Sequence, residues 1–247
     1  PVCPTSRRPD MEQGPRIKDQ GSGTEGQGVD PGKREPSSFA ALRRFIRPRA
    51  PAERCDFCSA ELPTEHDHLL DPASRGILCA CRECVVSVGS QEGGTLKRIP
   101  RRILSLPNFQ MSDAVWDDLL IPVGMAFFFY NSAEGRVMAY YPGPAGATES
   151  LLSLEAWQEV LRDNPMLAKM EPDVEALLVN RLKGTQDYYL VPVDRCYELV
   201  GMIRINWKGL SGGTEVWEEI RKFYDRLKER STEAYAATPT PGRSEDA

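Results

Sequence analysis

Seven of the nine cysteine and histidine residues in this 247-residue chain lie within thirty consecutive positions, and no other feature constrains the fold as strongly. Two C-x2-C pairs enclose the cluster. Two thiolates from one C-x2-C turn can reach a single ion, and a second such turn completes a tetrahedron around zinc. The sequence therefore predicts a small zinc-ribbon-like module in residues 51–106. Its cluster consists of the pair Cys55 and Cys58, then His66, His68 and Cys79, and finally the pair Cys81 and Cys84.

This cluster holds more potential ligands than one four-coordinate ion can use, so three arrangements are open. In the first, zinc is bound by the four cysteines of the C-x2-C pairs. In the second, His68 or Cys79 replaces one of those cysteines. In the third, the thiolates hold iron or an iron–sulfur cluster. Because both histidines of the chain fall inside the cluster, we expect His68 to be a ligand or to support one.

The chain that follows is predicted to be an α+β domain with a β-hairpin and several helices, in residues 107–230. Aromatic and branched residues on both arms of the segments 125–130 and 136–141 indicate the hairpin. Ser112 and Ser153 each precede apolar residues at helical spacing and are suited to cap helices.

Several shorter patterns in the same region complete the expected secondary structure. Residues 194–207 fit both helical spacing and strand alternation, and that choice is open. The other expectations are a strand at 85–88, a loop at 142–148, a helix that begins near Pro172 and stops at Gly184, a strand at 187–192 and a core-facing helix at about 215–230.

Three segments are expected to lie outside the folded units. Residues 1–37 are rich in Gly, Pro, Ser and charge, and are predicted to be a disordered arm. Residues 38–50 form a basic amphipathic segment too short to be stable alone. Residues 231–247 are predicted to be a disordered tail.

The charge distribution argues against a nucleic-acid-binding domain. Although the first fifty residues are basic, the cysteine module is nearly neutral and the larger domain is acidic, within a net charge of −5. Basic residues at 43–54 and 97–102 are the only support for a zinc-ribbon nucleic-acid binder, which is kept as a further alternative.

Other patterns in the sequence limit which cellular compartment and which chemistry are expected. No apolar run approaches the ~20 residues of a membrane span. Without a secretory signal, we expect a reducing cytoplasm, where clustered cysteines bind metal more often than they form disulfides. No motif identifies a small-molecule substrate. With both histidines in the cluster, hydrolytic triads have no base, which favours a non-catalytic protein.

Several motifs in the order of the chain resemble those of an uncharacterised bacterial family of unknown function, over about residues 52–230. They are Cys55-x-x-Cys58, His66-Asp67-His68-Leu69-Leu70-Asp71, Leu78-Cys79-Ala80-Cys81-x-x-Cys84, Ile121-Pro122-Val123-Gly124, Tyr141-Pro142-x-Pro144-Ala145-Gly146, Glu171-Pro172-Asp173-Val174 and Gly209-Leu210-Ser211-Gly212-Gly213.

Members of that family are often encoded beside actinobacterial-type uptake nickel–iron hydrogenases. The resemblance therefore implies an accessory or assembly role, with a hydrogenase subunit or maturation factor as protein partner. An iron-containing electron-transfer protein is the alternative that the surplus thiolates suggest.

Overall fold

Two β-sheets and five α-helices organise the part of the chain that the structure, a computed structural model, describes: residues 52–89, 95–151 and 153–234. The expected arm at 1–37, the basic segment at 38–50 and nearly all of the expected tail at 231–247 lie outside the described residues. The α+β class predicted from the sequence is confirmed.

The first sheet belongs to the cysteine-rich segment and has the strand order β2-β1-β3, all antiparallel. Its strands are β1 (Asp67–Leu70), β2 (Ile77–Ala80) and β3 (Lys97–Arg98), and helix α1 (Arg82–Gly89) follows β2. The expected strand at 85–88 is therefore wrong. Val85 and Val88 pack with Leu69 and Ala80, so packing overrides the β-preference of this valine-rich stretch.

A second sheet of seven strands forms the centre of the larger part, in the order β10-β4-β9-β8-β5-β6-β7. Only the β10/β4 pair is parallel. The predicted hairpin is confirmed, with Phe128 opposite Ala139. The strands are β4 (Leu104–Ser105), β5 (Met125–Asn131), β6 (Arg136–Gly143), β7 (Gly146–Ser150), β8 (Glu175–Asn180), β9 (Asp187–Pro192) and β10 (Thr232–Glu233).

Four helices cover this sheet. Ser112 and Ser153 cap the first two as predicted, since their side chains accept the backbone N–H of Val115 and Ala156. The ambiguous segment at 194–207 is helical. The helices are α2 (Asp113–Asp118), α3 (Leu154–Asp163), α4 (Val193–Asn206) and α5 (Gly213–Arg230), with short 3-10 turns at Pro165–Lys169 and Leu182–Gly184.

Two further expectations are corrected by the strands of this sheet. The segment expected to form a helix after Pro172 is strand β8, in which every residue is buried. A strand covered on both faces carries a continuous apolar run, which periodicity cannot distinguish from a buried helix. The expected loop at 142–148 is instead the tight turn between β6 and β7, with Gly143 opposite Gly146.

The seven-stranded sheet lies between two helical layers. Phe127 and Phe129 face the cluster formed with α4 and α5, whereas Ala126 and Phe128 face the cluster formed with α2 and α3. Leu70, Ile77 and Ile99 of the cysteine-rich segment belong to the α4/α5 cluster. The small sheet therefore shares its apolar core with the larger part; the division of the chain at residue 106 stays a prediction.

Buried ion pairs connect the same two parts. The fully buried carboxylate of Asp173 accepts hydrogen bonds from Lys97 Nζ at 2.6 Å, Ser132 Oγ at 2.5 Å and the Ser132 backbone N–H at 2.8 Å. Burial opposes ionisation, but the Lys97 ammonium and the Ser132 donors outweigh it and lower the pKa of Asp173. Arg102 similarly pairs with buried Glu175, through Nε at 2.6 Å and Nη2 at 2.7 Å.

Those pairs also explain the basic stretch at 97–102. Arg98 and Arg101 both donate to Asp67, at 3.2 and 3.1 Å. Together with Lys97 and Arg102, all four of its cations are engaged by carboxylates of the same chain. This pairing disfavours their use as a phosphate-binding surface.

Two glycines at α4 and α5 provide a matched test of this packing. Gly212, which precedes α5, has φ +86°, and an added Cβ would lie 2.8 Å from Val216 Cγ1 and 3.2 Å from the Trp207 ring. We expect Gly212→Ala to lower the free energy of unfolding by about 2 kcal/mol or more, from left-handed strain and steric overlap.

Gly201, inside α4, is the control, because an added Cβ there meets nothing within 4 Å. Gly201→Ala should raise the free energy of unfolding by about 0.5–1 kcal/mol, since alanine restricts the unfolded chain and favours the helix. Urea unfolding of both variants checks the pair. Similar effects at the two positions would contradict the packing described for Gly212.

Candidate metal sites

Four cysteine sulfurs converge at one end of the small sheet. Cys55 and Cys58 lie in the turn before β1, and Cys81 and Cys84 lie where β2 ends and α1 begins. The four sulfurs are all within 4.8 Å of one another. Cys58 Sγ and Cys81 Sγ are 3.8 Å apart, which matches the edge of about 3.8 Å expected for a tetrahedron with Zn–S bonds of ~2.3 Å.

Backbone hydrogen bonds hold the first turn in this geometry. The Cys55 N–H donates to Ala60 O and the Ser59 N–H donates to Cys55 O, which closes a tight loop around Cys58. The Asp56 N–H donates to Cys79 O at 2.9 Å, and Asp56 Oδ2 accepts the Cys79 N–H at 2.6 Å. These hydrogen bonds connect the turn to β2.

The protonation of these thiols is strongly coupled to their neighbours. Burial raises the pKa of Cys55, but the backbone N–H groups of Cys81, Cys58 and Phe57 outweigh it and lower that pKa to about 6. The neighbouring Cys81 side chain, followed by burial, raises the pKa of Cys84 to about 12. The group can therefore hold one thiolate readily, whereas four thiolates this close require a bound cation.

A second group of candidate ligands lies on the adjacent strands. His66 directly precedes β1, His68 is the second residue of β1, and Cys79 lies directly opposite His68 in the β1/β2 register. One ligand atom from each residue lies within 4.8 Å of the others. The sequence left open whether His68 or Cys79 replaces one of the four cysteines. The structure places both residues in a separate group with His66.

The two imidazole rings are held by specific partners. His66 Nδ1 lies 2.9 Å from Pro63 O, and His68 Nδ1 lies 2.8 Å from Asp194 Oδ2, with the two Nε2 atoms 3.1 Å apart. Asp194 lies in the first turn of α4, which begins at Val193. Its contact with His68, 126 residues away, has no signal in the sequence.

A cavity of about 140 Å³ adjoins these rings. It lies between the start of β1, the segment after β3 and the start of α4. Its titratable and charged lining consists of His66 and His68, the carboxylates of Glu53, Glu65, Asp67, Asp194 and Glu198, and the guanidinium groups of Arg101, Arg195 and Arg230.

Within the described residues, no helix is both long and apolar enough to cross a membrane. The cytoplasmic location stays a prediction.

Comparison with known proteins identifies a family and no relative of known activity. No curated protein and no solved structure matches the chain. The family model that matches spans residues 54–231, a range that contains both groups of candidate ligands and both sheets apart from β10. Since this range covers most of the chain, the protein belongs to DUF5947, a family of unknown function.

Proposed function

We propose that this protein is a zinc-binding accessory protein in which the four-cysteine site has a structural role. The observation that supports it best is the convergence of four sulfurs from two turns, with a separation of 3.8 Å between Cys58 Sγ and Cys81 Sγ. Four thiolates fill every position of a tetrahedral zinc ion, so this site leaves no position for a substrate.

The apolar contacts around the site are too few to organise it alone. The buried cluster there consists of Cys55, Leu62 and Cys79, with Cys81 and Cys84 packed against it. A cluster this small contributes little burial energy, whereas structural zinc binding supplies about 10–16 kcal/mol of apparent free energy in small modules. The ion therefore fixes the segment at 53–62 against β2 and α1.

Metal analysis of anaerobically purified protein tests this function. We expect a colourless protein with zinc bound and less than stoichiometric iron. Zinc that is lost on Cys58→Ser assigns it to the four-cysteine site. Stoichiometric iron, with sulfur-to-iron absorption in the visible range, would refute the zinc assignment.

That second outcome would support an iron-containing electron-transfer protein. The observation that favours this alternative is exposure: Cys58 is exposed and Cys81 and Cys84 are half-buried. An ion bound by these residues lies near the surface, where electron transfer to a partner is possible. Reduction by dithionite with loss of the visible bands would establish it.

The proposed partner is a hydrogenase subunit or maturation factor. The support is the resemblance to a family encoded beside uptake hydrogenases, not a residue of this chain. Affinity purification of the tagged protein from its host, followed by mass spectrometry, should recover hydrogenase components. Recovery of none in repeated experiments would remove the hydrogenase association while leaving the metal site intact.

A further inference from the structure

We propose that His66, His68 and Cys79 form a second metal site, for a divalent transition ion such as Zn²⁺, with an open coordination position that takes water or a small anion. This site shares no ligand with the four-cysteine site and goes beyond the function proposed for that site. Two imidazoles and one thiolate form a ligand set that zinc uses when three protein ligands leave the fourth position free.

The distances fit a single ion. The two Nε2 atoms are 3.1 Å apart, close to the edge of about 3.3 Å expected for a tetrahedron with Zn–N bonds of 2.0–2.1 Å. The Cys79 Sγ lies within 4.8 Å of one ring nitrogen of each histidine. Register explains the convergence, because residues 66 and 68 share one side of the chain entering β1 and Cys79 is the cross-strand partner of His68.

The hydrogen-bond partners of the rings point both Nε2 lone pairs at each other. The carbonyl oxygen of Pro63 can only accept, so His66 Nδ1 carries the proton. The carboxylate of Asp194 likewise accepts a hydrogen bond from the Nδ1–H of His68. With Nδ1 of each ring held by these partners, Nε2 is the nitrogen that each ring turns toward the other and can offer to an ion.

The Cys79 thiol lies in the same group as the two rings, so an ion at this place has three converging ligands. A shared proton would satisfy the pair of rings alone, whereas a cation uses all three converging groups. The partners of His66 and His68 also form the usual support of metal-bound histidines, whose second nitrogen donates to a carbonyl or carboxylate. Asp194 acts as a positioning residue that holds His68 from α4.

The open position faces the adjoining cavity. Both histidines line it, and so do Asp194, Arg101 and Arg195. Asp194 Oδ1 is buried without a hydrogen-bond partner among the described residues, so it can accept from a molecule in this space. Arg101 and Arg195 are already paired with Asp67 and Glu198, so a small anion would be held in this space by the ion itself.

Cobalt substitution of the full chain tests the second site on the unmodified protein. Metal-free protein should bind two equivalents of Co²⁺. Azide should change the visible bands of one equivalent only, because the ion bound by four cysteines has no free position. Histidine ring NMR of the zinc-loaded protein should show both rings neutral, protonated at Nδ1 and bound through Nε2.

Matched variants separate this proposal from the first. His66→Ala should remove one equivalent and the azide response, while Cys58→Ser should remove the other equivalent and keep the response. Asp194→Asn should weaken the azide-sensitive equivalent by about 10–100-fold and leave the other unchanged.

Two results would overturn the second site. One is a single cobalt equivalent that His66→Ala retains and Cys58→Ser abolishes. The other is an imidazolium in the histidine NMR spectrum of the zinc-loaded protein, which would show that a shared proton joins the rings. If the unmodified protein binds only the azide-sensitive equivalent, the structural zinc of the four-cysteine site is refuted and the second site is not.

Discussion

Cys58→Ser is expected to abolish zinc binding at the four-cysteine site and to unfold the turn at 53–62. A serine hydroxyl at neutral pH does not replace a thiolate ligand, so one of four Zn–S bonds is lost. At free zinc ~1,000-fold above the dissociation constant, loss of binding costs about 4 kcal/mol of stability. Zinc content and thermal unfolding, measured with and without a chelator, check this result.

The exposure of Cys58 makes this prediction discriminating. A substitution at an exposed position without a ligand role changes stability by less than about 0.5 kcal/mol. Cys196→Ala is the control, because Cys196 is fully buried in α4 and lies outside both ligand groups. That control should keep all zinc and lose about 1 kcal/mol from the core. Full zinc content in Cys58→Ser would exclude the four-cysteine site.

The four-cysteine site can be predicted from the sequence because its geometry is local. Each C-x2-C turn brings two sulfurs together whatever the rest of the chain does, and their spacing alone identifies both pairs. Only the metal and the choice among surplus ligands were open. The structure groups Cys79 with His68 and His66 because the β1/β2 register sets Cys79 opposite His68, although Cys79 also belongs to the buried cluster of Cys55.

The second group of ligands depends on the pairing between strands, and a single sequence indicates that pairing only weakly. His-x-His alternation before an apolar strand was visible, and it could have indicated that His66 and His68 share a face. Their link to Cys79 requires the β1/β2 register, and the link to Asp194 requires the packing of α4 on the small sheet. Neither contact leaves a pattern in a single sequence.

The same limit explains the misassigned strand β8. Local patterns predicted the hairpin of β5 and β6 because turn residues separate two β-rich runs. In β8, helical layers cover both faces of the sheet, so no polar alternation marks the strand. Its buried Glu175 is not a solvent-facing residue but the partner of Arg102, which lies 73 positions earlier in the chain.

Among the substitutions proposed within the seven-stranded sheet, Glu175→Gln is expected to lower the free energy of unfolding the most. The carboxylate is fully buried, and it accepts two hydrogen bonds from Arg102 and one from the Glu171 N–H at 2.9 Å. Breaking a fully buried pair costs about 3–5 kcal/mol. Because the Arg102 side chain is 44% exposed, its charge is partly hydrated after the change, and we expect a loss of about 2–3 kcal/mol.

Glu149→Gln is the matched control for burial. Glu149 also pairs with an arginine, Arg136, at 3.1 Å, but both side chains are half-exposed. An exposed pair contributes at most about 1 kcal/mol, and salt screens it, so this variant should unfold in urea almost as the original protein does. High salt should leave the deficit of Glu175→Gln nearly unchanged, since water and ions do not reach the buried carboxylate. Equal and salt-sensitive losses at the two positions would show that burial does not set the strength of the Arg102 pair.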